Sequence, residues 1–348
     1  MIIWWRIIVI AYPCTTAAYA VLFESERARL KKMIYNSVLD CIGGTPLVRL
    51  QRLFPQEGIH VLAKLECLNP GGSVKDRPAQ FIIDQGLQTG IITPTTHLIE
   101  STSGNFGIAL AMVACIYHLA LTCVVDPNIS PVNLQILRQL GANIEMVKQV
   151  DAQGGYLASR IQRVQELRQS IPHSYWINQY ANELNWQAHY FMTAAEIISQ
   201  VEDHPIDTLV IAVSTTGTLL GLARRLREKY PHLRVIAVDA VGSIIFGGPP
   251  LPRFLPGIGA SRVPEILQPD EIDEVWYVTD REAVQGCQDL VLHEGILAGG
   301  SSGSVVAAIQ KILQQSLQPQ TLLTLLPDRG DRYINMIYDE KWVAQLPS

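Results

Sequence analysis

The chain has 348 residues, enough for one large or two medium α/β domains, and its 48% apolar and 17% charged residues are ordinary for a soluble enzyme. Its 27 Lys and Arg against 32 Asp and Glu leave a formal charge of −5, which gives no basic footprint and argues against nucleic acid as the main partner. Six cysteines (Cys14, Cys41, Cys67, Cys115, Cys123 and Cys287) form no CxxC pair, so reduced, mostly buried thiols in a cytoplasmic protein are expected, with no metal site and no disulfide framework.

Residues 1–32 stand apart from the rest of the chain: 1–23 are apolar apart from Arg6 and a few hydroxyls, and 24–32 are a charged run. A secretory signal or membrane anchor, a dispensable tail, and sequence upstream of a true start at Met33 are all compatible with this. Pro13 interrupts the apolar run, and a membrane role is not expected.

From Met33 onward, period-2 and period-3.6 apolar patterns alternate. A strand over 60–66 leads through the turn Asn69-Pro70-Gly71-Gly72 into a helix running to Leu87. Ser73 is a good N-cap, which puts Lys75 in the first turn of that helix. The positive end of the helix dipole disfavours an ammonium there, and a depressed pKa is what a Schiff-base lysine needs. The bland alternative is a solvated lysine beside Asp76 and Arg77.

A strand over 97–100 then enters the turn Ser101-Thr102-Ser103-Gly104-Asn105-Phe106-Gly107, which opens an apolar helix over 108–117. Next come a strand over 121–125, a helix over 132–140 stopped by Gly141-Ala142, a strand over 143–147 and a helix over 156–169. A long helix over 182–201 and a strand over 208–213 lead into Ser214-Thr215-Thr216-Gly217-Thr218, which opens a helix to Tyr230. A strand over 234–239 comes after it, and the closing elements are 275–278, 283–293, 302–313 and 321–326. This rhythm predicts parallel sheet covered on both faces, with ligands at the carboxyl ends of its strands. The turns at 101–107 and 214–218 are both rich in hydroxyls and glycine at helix starts, so one suits a carboxylate and the other a phosphate.

Between Val38 and Tyr333 the chain resembles the β-family (fold type II) of pyridoxal-phosphate enzymes, typified by cysteine synthase and cystathionine β-synthase. The resemblance rests on Gly43-Gly44-Thr45-Pro46-Leu47-Val48-Arg49-Leu50, Ser73-Val74-Lys75-Asp76-Arg77, Thr102-Ser103-Gly104-Asn105, Thr215-Thr216-Gly217-Thr218 and Gly300-Ser301-Ser302-Gly303, in the family's order and spacing. It implies two three-layer α/β domains with pyridoxal 5'-phosphate in the cleft between them: a large one from 33–79 and 181–348, and a small mobile one from 80–180 that closes over substrate. It also favours Met33 as the start, because such chains commonly begin just before the counterpart of Ile34. A homodimer is implied as well.

By motif position, Lys75 is the Schiff-base lysine and acid–base group, and Asn105 contacts the cofactor's 3'-oxygen. Ser214, Thr215, Thr216, Gly217 and Thr218 cradle its phosphate, and Thr102, Ser103 and Gly104 hold the substrate carboxylate, with Gln179 a further substrate contact. Ser301 presents a neutral hydroxyl to the pyridine nitrogen, which weakens the ring as an electron sink and favours loss of a β-substituent followed by addition of a nucleophile.

Phe106 stands where cysteine synthases usually have Thr, and Gly257-Ile258-Gly259-Ala260-Ser261-Arg262, 151–160 and Asn178-Gln179-Tyr180-Ala181-Asn182 are similar to one subgroup. That subgroup makes N-(2-amino-2-carboxyethyl)-L-glutamate from O-phospho-L-serine and L-glutamate, a precursor of L-2,3-diaminopropionate for siderophores and peptide antibiotics. Arg160 and Tyr180 match its substrate contacts, and an arginine suits a phosphate or a dicarboxylate. Arg160 equally fits a solvated face with Arg163 and Arg168, and Arg262 is a further candidate without a motif behind it. The alternative activity is that of a cysteine synthase, with sulfide as nucleophile. A catalytically silent relative acting as a scaffold is a reading from another class.

Overall fold

Short β-branched and leucine-rich runs become ten strands among the residues described by the computed structural model, which are 34–347 apart from 152–154 and 203. In chain order they are β1 (Leu47–Arg49), β2 (Ile59–Lys64), β3 (His97–Ser101), β4 (Ala120–Val125), β5 (Asn143–Met146), β6 (Ser174–Trp176), β7 (Thr208–Ala212), β8 (Arg234–Ala240), β9 (Glu274–Val278) and β10 (Gln320–Leu325). The expectations for 1–32 lie outside the described residues. The chain divides into units 1–40 and 41–348; in the first, the Ser37 amide donates to Asp40 Oδ2 at 3.0 Å.

The second unit holds two sheets. Six strands lie in the order β1-β2-β10-β7-β8-β9, and four in the order β5-β4-β3-β6. Every pairing is parallel except β1 with β2. The central strands β7, β8 and β10 are buried almost throughout, as strands with both faces covered must be. The alternation of side chains is visible along β7: Val210 joins one apolar core with Val61 and Val306, while Leu209 and Ile211 join another with Ile197 and Leu222. A smaller cluster of Ile99, Val124, Val164 and Leu167 fills the four-stranded sheet's side.

The α-helices among the described residues are α1 (Asp76–Thr89), α2 (Asn105–Ile116), α3 (Pro131–Gln139), α4 (Leu157–Ser170), α5 (Leu184–Ala188), α6 (Ala194–Val201), α7 (Gly217–Lys229), α8 (Asp280–Asp289), α9 (Gly300–Gln315) and α10 (Glu340–Val343). Two parallel α/β sheets with helices are the architecture expected of the sequence. Gly141 ends α3 as expected, at φ +82°, where the Ala142 amide reaches back to the Leu137 carbonyl at 3.0 Å.

Three local expectations need correction, and two strands went unpredicted. Ser73 does not cap α1, which begins at Asp76; the Ser73 hydroxyl instead accepts the Lys75 amide at 3.3 Å. The long helix over 182–201 is α5 and α6 joined by a π-helical turn, His189–Thr193. Strands β1 and β6, three residues each, were too short to announce themselves by alternation. Arg77 and Asp76 are buried, so the solvated charge run does not exist.

Arg77 is held on every side. Its Nε and Nη2 make a two-point contact with Glu66 at 2.7 and 2.8 Å, and Nη1 reaches Glu196 at 2.7 Å. Lys64, also buried, donates to Glu196, Gln200 and the Thr45 carbonyl. This ionic cluster ties β2, α1 and α6 together.

Candidate active site

Strand ends decide where the chemistry collects. Beyond the last residues of β2, β3, β7 and β10 lie Lys75, Thr102, Ser214 and Asp328, and all four line one cavity. Asn105, Thr215, Thr216, Thr218, Gln179, Tyr180, Gly104 and Ser301 line it too. Of the residues expected in the site, Ser103, Gly217 and Arg160 are outside the lining.

Lys75 is half-buried at the cavity wall. Burial pulls its ammonium down to about 8, and the nearby Asp328 carboxylate acts in the opposite sense. The lysine is therefore far more often neutral near pH 8 than a surface lysine.

The 101–107 turn is built to present N–H groups. Gly104 is the N-cap of α2, and the Thr102 hydroxyl accepts the Gly107 amide at 3.1 Å. The 214–218 turn is more strained: Thr216, a β-branched residue, sits at φ +65° immediately before α7. Its Oγ1 is buried with no hydrogen-bond partner. An orphaned hydroxyl at a helix N-terminus beside Thr215 and Thr218 suits a phosphate.

Several residues that the sequence reading did not single out support the site. Asn185 on α5 donates to the Gln179 carbonyl at 2.7 Å and to Thr215 Oγ1 at 3.1 Å, tying the two loops together. His189 is fully buried between Thr193 and Thr218, at 3.0 and 3.2 Å, and burial together with the charges of Lys75 and Arg77 keeps its imidazole neutral. Asp328 accepts from Asn105 Nδ2 at 2.7 Å and from the Tyr333 hydroxyl at 2.5 Å, and Arg332 donates to Asn105 Oδ1. Asp328 closely follows a strand, as Ser214 does, and that signal could have found it. Asn185 and His189 reach the site only through the fold of α5 and its π turn.

Ser301 lies in the first turn of α9, buried, on the cavity wall. Arg160 is largely buried and paired with Asp126 at 3.3 Å, so the solvated face belongs to Arg163 and Arg168 alone. Arg262 lies over the Tyr180 ring at 4.6 Å and pairs with Glu265.

The model of the family described as pyridoxal-phosphate dependent enzyme matches residues 38–328. The chain belongs to that family. Among solved structures it is similar to an O-acetylserine dependent cystathionine β-synthase from Helicobacter pylori, with 37% identity and TM-score 0.81 over 87% of this chain and 98% of that one. It is similar also to an O-ureido-L-serine synthase, with 32% identity and TM-score 0.82 over 90% of this chain and 100% of that one. A third is isoform 3 of the O-acetyl serine sulfhydrylase of Entamoeba histolytica, with 32% identity and TM-score 0.82 over 88% and 92%.

As a member of this family the protein is a pyridoxal-phosphate dependent β-replacement enzyme of the cysteine synthase and cystathionine β-synthase kind. The residues fit the cofactor: one amine of lowered pKa, an orphaned hydroxyl in a helix-start cradle, and a buried serine on the same cavity. No described helix is long and apolar enough to cross a membrane.

Proposed function

We propose that the enzyme joins O-phospho-L-serine and L-glutamate to give N-(2-amino-2-carboxyethyl)-L-glutamate and phosphate, supplying L-2,3-diaminopropionate in the cytoplasm. The observation that carries β-replacement is the convergence of Lys75, the 101–107 and 214–218 turns and Ser301 on one cavity. Bound pyridoxal phosphate supplies an electron sink for the bond to the α-proton. Ser214, Thr215, Thr216, Gly217 and Thr218 would hold the phosphate and Asn105 the 3'-oxygen, and Ser301 would offer the ring nitrogen a neutral hydroxyl.

Thr102, Ser103 and Gly104 hold the substrate carboxylate through the N-terminus of α2, with Gln179 beside them. Lys75 moves the α-proton, which its lowered pKa suits near neutral pH. Tyr180 lines the cavity with Arg262 stacked on it, and this supports an anionic second substrate. Arg160 joins that site by exchanging Asp126 for the substrate.

The four-stranded sheet, whose strands fall between 97 and 176, makes no ladder with the other, and this supports a separate small domain over 80–180 that closes to exclude water. The large domain is then 33–79 with 181–348, and the enzyme works as a homodimer.

The second reading is a cysteine synthase, favoured by the sulfhydrylase among the similar structures. Purified enzyme given phosphoserine with glutamate or with sulfide separates the two. The glutamate adduct is expected by mass spectrometry; fast cysteine formation without it overturns the proposal. Lys75→Ala is expected to lose borohydride labelling of the cofactor and to drop turnover at least about 10³-fold.

A further inference from the structure

The 101–107 turn, read above as the seat of the substrate carboxylate, is held from a neighbouring helix. Asn133 on α3 donates from Nδ2 to the Ser103 carbonyl at 3.1 Å. A carbonyl oxygen only accepts, so the Asn133 amide must turn its nitrogen toward Ser103 and its oxygen elsewhere. That oxygen, Oδ1, is buried and has no hydrogen-bond partner.

Asn133 and Leu137 are the buried residues of α3, one turn apart on one face. Leu137 seats that face on the start of α2, since a Cβ built at Gly107 would lie 3.5 Å from its Cδ2. A leucine at 133 would extend the apolar contact, whereas the asparagine leaves a buried acceptor unpaired, which costs free energy. A side chain kept at such a cost points to a task other than stability.

The task follows from the geometry of one peptide unit. No described peptide bond is cis, so the Ser103 C=O and the Gly104 N–H point in opposite directions. With the carbonyl tied to α3, the Gly104 N–H is directed away from α3. Gly104 lines the cavity, and Ser103 and Asn133 do not. A Cβ at Gly104 would meet nothing within 4 Å, so no side-chain packing fixes the peptide on that side. Were the peptide to turn over, a carbonyl oxygen would replace a donor at the start of α2, where an anion is to be bound.

We propose that Asn133 is a positioning residue for substrate recognition: by pinning the Ser103 carbonyl, it holds the Gly104 N–H toward the cavity as a donor to the carboxylate of the amino-acid substrate. This rests on the reading above that Thr102, Ser103 and Gly104 hold that carboxylate. Asn133 acts through the turn and touches no substrate, so its effect falls on binding of the carboxylate rather than on proton transfer at Lys75.

The test is a titration of holoenzyme with L-alanine and with L-alaninamide, followed by cofactor absorbance, for wild type, Asn133→Leu and Thr102→Val. Neither ligand carries a β-leaving group, so the titration reads binding alone, and only the first has a carboxylate. Asn133→Leu is expected to weaken L-alanine about 10-fold and to leave L-alaninamide within about 2-fold of wild type. Equal weakening of both ligands, or of neither, overturns the assignment. If Thr102→Val weakens L-alanine selectively and Asn133→Leu does not, the turn still holds the carboxylate and the role of Asn133 alone falls. If neither variant separates the two ligands, the reading of the turn falls with it. Should the Leu variant not fold, Asn133→Ala removes the same donor with a good helix former, and the same selective loss is expected; its absence is the contrary result.

Discussion

Arg77 and Lys75 are two residues apart and have opposite fates. Arg77 sinks into a carboxylate pocket that matches its planar fork, and Lys75 faces the cavity with its charge disfavoured by burial. Replacing Arg77 by Met leaves Glu66 charged and buried with only Thr45 and Asn69 to bind it. The expected cost is about 3–5 kcal/mol in urea unfolding; a loss below about 1 kcal/mol contradicts the tight-lock reading. Motif matching placed both residues in one short charged run, but only the burial distinguishes support from chemistry. Arg160 teaches the same point, since its spacing with Arg163 and Arg168 suggested a solvated face and the fold gave it Asp126 instead.

At the scale of elements, α8 and α9 touch backbone to backbone. A Cβ on Gly303 would stand 1.9 Å from the Ala283 carbonyl oxygen, and one on Gly286 would stand 2.2 Å from that of Gly303. This close approach sets the start of α9 and with it the position of Ser301. Gly303→Ala is therefore expected to destabilise by about 1–3 kcal/mol or more, and to weaken cofactor retention on dialysis because Ser301 is displaced with the helix. Unchanged unfolding midpoint and retention would show that the helices yield. The Gly300-Ser301-Ser302-Gly303 block was legible as a motif, yet its packing partner Gly286 was not. The π turn through His189 was equally hidden, because one extra residue per turn leaves the apolar period of 182–201 nearly unchanged.

For the whole molecule, buried carboxyl groups shape stability against pH. Burial pushes Glu100 on β3 from 4.5 up to about 8, with backbone amides at Gln179, Ser101 and Asn178 acting the other way. A carboxyl raised in the folded state binds more protons there than in the unfolded chain between pH 4.5 and 8. Its contribution is thus present at low pH and is lost as pH rises through that window. Glu100→Gln removes this titration, so the difference in thermal midpoint between variant and wild type is expected to move in the variant's favour from pH 5 to pH 8. A difference independent of pH would mean that Glu100 is not titrating there. His189, held neutral, works in the opposite direction up to its ordinary value and is common to both proteins.

The sequence by itself determined the alternation of strands and helices, the family and the cofactor, because these rest on short-range patterns: apolar periods, turn residues and motifs within a few positions of each other. The strained Thr216 turn, the pairing of Asp328 with Asn105 and Arg332, the clasp of Asn185 between two loops and the burial of Arg77 were decided only in three dimensions. Asn105 and Asp328 are 223 positions apart, and what unites them is that strands of two separate sheets deliver their carboxyl ends to one cavity whatever their order in the chain.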